Sequence, residues 1–315
     1  MKILFHANTL NYRGTTVAIT DYAHYNQEIL GNESVIAYCK TYGEEKDMGN
    51  EPAVIEALEK KFKVIGYDVG NIEKKIDQEK IDLAYFIAGG ERSSLPTNCK
   101  TAVHAVFQNN DPHGDRYAYI SKWLSVKMSN GVIPFVPHMV NLPPPIKDYR
   151  QAFGLEGKIV IGRIGGYFTF DIPFVKEFIK QLVQTNNKFV FLFVGTEPFI
   201  DHTNVKFINE IHSPQQKANF ISTCDAMIHA RQRGESFGLS IAEFLSLNKP
   251  VMAWSGGHDL NHLEMLKDSG LLYNDTNDLH NMFYSLDNIK EDWWWRVEEY
   301  KPNTVMKKFN EVFIC

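Results

Sequence analysis

Two carboxylates and the residues between them carry the densest chemistry in this chain. The segment Arg233 to Glu243 (RGESFGLSIAE) sets Glu235 and Glu243 seven residues apart, directly after the apolar run 226–230 and at the head of a helical pattern. Ser236 is a helix-capping residue type, and Gly238 lets backbone approach a ligand. The amides of Phe237, Gly238 and Leu239 are therefore expected to face an anion from the helix N-terminus. A diphosphate suits that position. Glu243 stands about five residues into the helix, roughly 7 Å along its axis, which is comparable with a pyrophosphate lying between two sugars. One carboxylate can then hold a ribose and the other a transferred sugar. The competing reading is that both glutamates merely favour the first turns through the helix dipole.

Other chemistry-bearing residues read more plainly. His258 and His262 have the i, i+4 spacing of a zinc helix but lack the Glu after the first His, so a surface loop and helix start is expected there. Cys39, Cys99, Cys224 and Cys315 form no CxxC pair, which predicts reduced thiols and no zinc ribbon. Trp293, Trp294 and Trp295 could stack a sugar or touch lipid; packing of a terminal helix is the simpler use of such bulk.

Positioning these residues calls for alternating strands and helices. The run 2–7, a turn bearing Gly14 and a helical pattern from Thr15 read as strand, loop and helix. Strands at 34–38, 63–65, 81–87, 101–107, 117–120 and 132–136 follow, with helices at 51–61, 71–80 and 122–129. Strands separated by helices imply parallel pairing with right-handed crossovers. Pro143, Pro144 and Pro145 then mark an interdomain linker and hinge, since three prolines continue neither a helix nor a central strand. Beyond it come strands at 159–163, 189–194, 205–209, 226–230 and 250–253, with helices at 172–184, 215–222 and 238–247. The segment 292–315 reads as one or two aromatic-rich helices. The expected division is 1–147, 148–290 and a helical tail 291–315 packing across the junction. Two α/β domains leave a cleft where the carboxyl ends of both sheets bind ligands.

Composition agrees with an ordinary folded chain. It has 315 residues, 44% of them hydrophobic, with 33 basic and 38 acidic side chains, which excludes disorder and a polybasic nucleic-acid binder. No apolar stretch approaches the ~18 residues of a spanning helix, and residues 1–8 lack a signal-peptide core, so a soluble cytoplasmic protein is expected. Gly162, Gly165 and Gly166 do not form a dinucleotide fingerprint.

Glu235-Ser-Phe-Gly-Leu-Ser-Ile-Ala-Glu243, with Lys249-Pro250-Val251 after it, resembles the family 4 retaining glycosyltransferases of the GT-B fold. The resemblance implies two Rossmann-like α/β domains, an acceptor side first and a donor side second, facing across a central cleft. It implies that Glu235 contacts and positions the donor sugar, Glu243 binds the nucleotide ribose, and Ser236 to Leu239 bind sugar hydroxyls and diphosphate. It places a phosphate-binding Arg at Arg163, in Ile161-Gly162-Arg163. The Lys-Gly that should follow is absent, 164–171 reading IGGYFTFD, so either Arg231 and Arg233 complete the clamp or the phosphate contacts are weaker. Gly14 and Thr15 match the turn that approaches the donor phosphate on closure, and His113 or His104 matches a histidine near the reacting sugar. His104, inside a strand, fits a core residue better; His113 lies in a polar loop expected to open into the cleft. The implied activity moves a sugar from a nucleoside diphosphate sugar to an acceptor hydroxyl, with configuration kept and no metal or other cofactor. The alternatives are a nucleotide-sugar 2-epimerase on the same fold and a nucleotide-sugar binding protein without turnover. A soluble or growing-glycan acceptor is expected, with no nucleic-acid partner.

Overall fold

The computed structural model describes residues 1–42, 49–209, 211, 213–269, 271–289 and 291–315. The chain divides into two compact units, Met1–Met139 with Tyr300–Cys315, and Val140–Glu299.

In the first unit the elements are β1 (Lys2–Ala7), α1 (Gly14–Glu28), β2 (Glu33–Cys39), α2 (Pro52–Glu59), β3 (Lys63–Tyr67), α3 (Ile72–Glu79), β4 (Leu83–Ala88), β5 (Lys100–Ala105), β6 (Arg116–Tyr119) and α4 (Lys122–Ser129). All strands pair in parallel in the order β3-β2-β1-β4-β5-β6. Such a sheet is covered on both faces, which is why β1 reads as a near-continuous apolar run with Ile3, Leu4 and Phe5 fully buried. The strand order reverses between β1 and β4, so the carboxyl ends of these two strands flank a ligand-binding crevice of the kind open α/β sheets provide.

The second unit repeats the plan. It contains α5 (Arg150–Phe153), β7 (Ile159–Ile164), α6 (Pro173–Thr185), β8 (Phe189–Val194), β9 (Val205–Ile208), α7 (Pro214–Thr223), β10 (Ala226–His229), β11 (Gly234–Glu235), α8 (Leu239–Ser246), β12 (Val251–Trp254), β13 (Asp259–Leu260), α9 (Asn261–Leu266), β14 (Leu272–Tyr273) and α10 (Thr276–Ser285). Its parallel sheet runs β14-β12-β10-β7-β8-β9, and β11 pairs separately with β13. The reversal here lies between β7 and β10.

Three expectations need correction. Residues 132–136 form no strand: Phe135 makes a single bridge to Tyr119, because Pro134 and Pro137 offer no N–H to extend a ladder. The division between units falls after Met139 rather than at 147, and the segment holding Pro143–Pro145 docks on α7 of the second unit. Gln215 Nε2 donates to the Pro144 carbonyl at 3.0 Å, and the Ile146 amide donates to Asn219 Oδ1 at 3.0 Å. The tail does not behave as one piece. A 3-10 turn at Trp294–Tyr300 is followed by α11 (Pro302–Phe309), and from Tyr300 onward the chain belongs to the first unit. Phe309 stacks on Tyr22 at 5.1 Å and Phe313 meets Tyr85 edge-on at 5.3 Å, and burial of these rings holds the last turns there. Trp293 is buried in the second unit, while Trp294 and Trp295 are about half exposed. Among the described residues no helix is long and apolar enough to cross a membrane.

Candidate functional site

The reversal point of the second sheet gathers most of the expected residues. β10 ends at His229, and the chain turns through residues 230–233 into β11, which carries Glu235. Gly234 makes that turn possible: its φ is +77°, and a Cβ there would stand 2.1 Å from the Asp259 carbonyl oxygen, so no other residue lets β11 lie this close to β13. Glu235 is half-buried. His229 Nε2 donates to its Oε1 at 3.2 Å and Arg231 Nη1 donates to its Oε2 at 2.9 Å. Burial alone would raise this carboxyl, but His229, Arg231 and His262 together hold it below the usual carboxylate range, so it is ionised at neutral pH.

Helix α8 starts within one residue of the expected 238, but with a different cap. Its N-cap is Gly238, at φ +96°, with no side chain capping it; Ser236 therefore does not cap the helix. Phe237 is buried, and its carbonyl accepts from Asn261 Nδ2 at 2.7 Å. The helix thus begins on a backbone N-terminus, with Leu239 as first residue, in the crevice between the sheet's two halves.

Glu243 is buried on α8, where Lys217 from α7 donates to Oε1 at 2.7 Å. Its Oε2 is also buried and has no hydrogen-bond partner among the described residues. Burying a carboxylate oxygen without a donor costs free energy, so this atom needs an explanation.

Arg163, at the end of β7, is buried as well. Nη1 donates to the Gly195 carbonyl at 2.9 Å and to Thr196 Oγ1; Nη2 donates to the Gly166 carbonyl at 3.0 Å and Thr169 Oγ1 at 2.6 Å. Burial lowers its guanidinium to about 10, opposed by Glu235, so the side chain stays charged. The four donors of its two terminal nitrogens are spent on two loops, Nη1 on the one that follows β8 and Nη2 on the one that follows β7. That loop exposes Tyr167 and Phe168, edge to face with ring centroids 5.0 Å apart, where the resemblance led to an expected Lys-Gly. Arg233 is likewise engaged, its Nε donating to the buried Asp259 at 2.7 Å. An open hollow of about 510 Å³ lined by Asp171, Gln232, Arg233 and His258 adjoins this turn.

The remaining candidates lie in the first unit. Gly14 is the exposed first residue of α1, with open space where a Cβ would stand, and Thr15 beside it is half-buried. His113 does not open toward solvent: it is buried, its Nδ1 donates to the Asp111 carbonyl at 2.8 Å, and its Nε2 accepts from the Ser93 amide at 3.4 Å. Both ring nitrogens tie two loops together, which corrects the expectation of a cleft-facing histidine. His104 is a core residue as read, fully buried between the Tyr85 hydroxyl at 2.6 Å and the Val136 carbonyl at 2.8 Å. His258 is exposed, but His262 is fully buried, its ring 5.1 Å from that of His229. Among the described residues no group of three His, Cys, Asp or Glu is placed to hold a metal ion.

Sequence reasoning passed over His229, Lys217 and Asp259. His229 had a signal, as the last residue of a strand leading into the motif. Lys217 and Asp259 had none, because they reach their partners from other helices and strands.

No protein-family model matches the sequence, and no curated protein matches it. Solved structures do match. HepE of Anabaena, in complex with UDP and glucose, superposes with a TM-score of 0.72 over 99% of this chain and 98% of its own, at 15% identity. TarM superposes with a TM-score of 0.70 over 100% and 98%, at 11% identity. A glycosyltransferase of Rickettsia africae gives 0.65 over 99% and 97%, at 14% identity. Likeness at such low identity gives the fold: two Rossmann-like α/β units of the GT-B type.

Proposed function

We propose that this chain is a retaining glycosyltransferase that moves a sugar from a nucleoside diphosphate sugar to an acceptor hydroxyl. The reading rests on Glu243. Its carboxylate is buried, one oxygen is held by Lys217 and the other lacks a donor among the described residues, and a ribose hydroxyl is the group that would complete it. The diphosphate would then lie over the N-terminus of α8, between Gly238 and Leu239, where the dipole and backbone amides favour anions. Arg231, half-buried beside Glu235, supplies positive charge there, and Arg163 braces the facing loop. Glu235, ionised and held at both oxygens, would accept hydroxyls of the transferred sugar. Developing negative charge on the leaving diphosphate is stabilised by these fixed groups without reorganisation during the reaction. The solved structures of similar fold support the same substrate class, HepE having been seen with UDP-glucose.

A thermal-shift screen of UDP, GDP, CDP and ADP sugars tests the reading. A true donor at 100 times its Kd should add roughly 2.7 kcal/mol of stability, and the Glu243→Gln variant, binding at least about tenfold more weakly, should lose about half of that increment or more. Donor hydrolysis without acceptor separates an enzyme from a binder, and the anomeric configuration of the transfer product, read by NMR, separates retention from inversion. If none of the four nucleotide sugars stabilises the protein, the proposal fails.

A further inference from the structure

A second polar hollow, of about 240 Å³, lies wholly within the first unit and has no part in the site above. It is lined by Lys40, Gly66, Tyr67, Asp68, Asn71, Lys74, Lys75 and Gln78. Lys40 follows the last residue of β2, Gly66 and Tyr67 end β3, and the others belong to the turn into α3 and to α3 itself. The hollow therefore sits at the carboxyl edge of the outer two strands, on the side where open α/β sheets take ligands.

Its charge is unbalanced. Three lysines face one carboxylate, Asp68, a net of +2. Among the described residues none of the three lysines makes an ion pair, whereas Lys2 and Lys63 nearby are both paired with Glu79. The only acidic residue in the first turn of α3, Glu73, is committed elsewhere, accepting from the Thr97 amide at 2.8 Å and its hydroxyl at 2.9 Å. Lys74 and Lys75 also stand at the wrong end of their helix for a cation. They occupy the first turn, where the dipole is positive, and no side chain caps that turn. Three ammonium groups lining one concavity repel one another, and an anion among them would relieve that repulsion.

We propose that this hollow binds a phosphate monoester carried by a soluble ligand. A phosphate monoester is close to a dianion at neutral pH, matching the net charge of the lining, and its oxygens suit ammonium donors and the Asn71 and Gln78 amides. Together with the transferase reading, on which this step rests, the phosphorylated ligand is the acceptor, a hydroxyl compound bearing phosphate at another position.

The binding claim can be tested without the transferase reading. In ¹⁵N-labelled full-length protein, the amides of Gly66, Asp68 and Asn71 should shift saturably with inorganic phosphate and with glycerol phosphate. Sodium chloride at equal ionic strength should not reproduce the shifts. The midpoint should rise at least tenfold in Lys74→Gln/Lys75→Gln, whose exposed helix surface tolerates the change, and in Lys40→Gln separately. Vesicles of phosphatidylcholine with phosphatidic acid should leave these amides unbroadened. Non-saturable shifts, equal effects of chloride, or midpoints unmoved in the lysine variants would overturn the site; a response to vesicles alone would overturn the soluble ligand. Nucleotide-sugar binding measured by calorimetry on the same variants should be unchanged. A protein that takes phosphate here but no nucleotide sugar would therefore sink the transferase reading while leaving the site standing.

Discussion

The two sheets share one strand order and differ in what their crevices bury. The fifth residue of each central strand shows it. In β1 that residue is His6, in β7 it is Arg163. His6 is held neutral by burial, at about 3, and meets the Tyr67 hydroxyl at 2.6 Å. His104 and His138 are also pushed down by burial, to about 3 and 4, so the first unit's core is polar yet uncharged. The second unit keeps charge inside: Arg163, the Lys217–Glu243 pair, Asp259 under Arg233, and an ionised Glu235. A fold plan with fixed topology thus accepts opposite electrostatics, and fixed charge accumulates at the crevice where we propose that a diphosphate donor binds.

Acid should break this symmetry most strongly. The three histidines of the first unit have folded values far below the ordinary 6.5 of the unfolded chain. Their stabilisation is complete above about pH 6.5 and is lost as pH falls toward 3, because the unfolded state takes up protons that the buried rings refuse. At pH 5 the loss is as much as about 2 kcal/mol per histidine. Among its described residues the second unit has one such ring, His262, at about 4, and the stabilisation from Glu235 is lost only as pH falls below the ordinary carboxylate range. Hydrogen exchange at pH 5 and 7, corrected for intrinsic rates, should show β1, β4 and β5 losing protection ahead of β7 and β8. Equal losses would remove the contrast.

Replacing the two fifth-position residues sharpens it. Arg163→Ala strips four donors from the loops after β7 and β8 and should cost about 3 kcal/mol in urea unfolding. His6→Phe leaves only the Tyr67 hydroxyl unpaired and should cost about 1 kcal/mol. If Arg163 acts as a brace, Arg163→Ala weakens nucleoside and nucleoside diphosphate binding alike; a selective loss for the diphosphate would mean that it reaches the phosphates.

Glu243→Gln should lower donor affinity at least about tenfold, the scale of one charge-assisted hydrogen bond. Stability without ligand should move by less than about 1 kcal/mol, since Lys217 is partly exposed and can turn to water. Unchanged nucleotide affinity in calorimetry would remove Glu243 from the site.

The smallest structural effect belongs to Gly14→Val. No described residue lies within 4 Å of the added Cβ, so unfolding stability should stay within about 0.5 kcal/mol of the parent. Turnover should nevertheless fall if the first loop approaches the donor, and intact turnover would leave Gly14 and Thr15 outside the chemistry.

Local pattern was enough for most elements. The helix at 122–129 and the strand at 189–194 coincide with α4 and β8, because apolar runs, capping residues and turn glycines act over a few residues. Glu235, Gly238 and Glu243 were legible for the same reason: their spacing along one strand, turn and helix is a local property. Tertiary structure alone decided the rest. His113 looked exposed in a polar loop, yet the Ser93 amide from another loop closes over it. Ser236 looked like a cap, yet the close pairing of β11 with β13 moves the cap to Gly238. Arg163 looked free for phosphate, yet carbonyls and hydroxyls from 3 to 33 residues away take its donors. Lys217 meets Glu243 across 26 residues of sequence. Pairings over such separations are set by how helices and strands pack and which buried polar atoms must be satisfied, and short-range spacing carries no record of either.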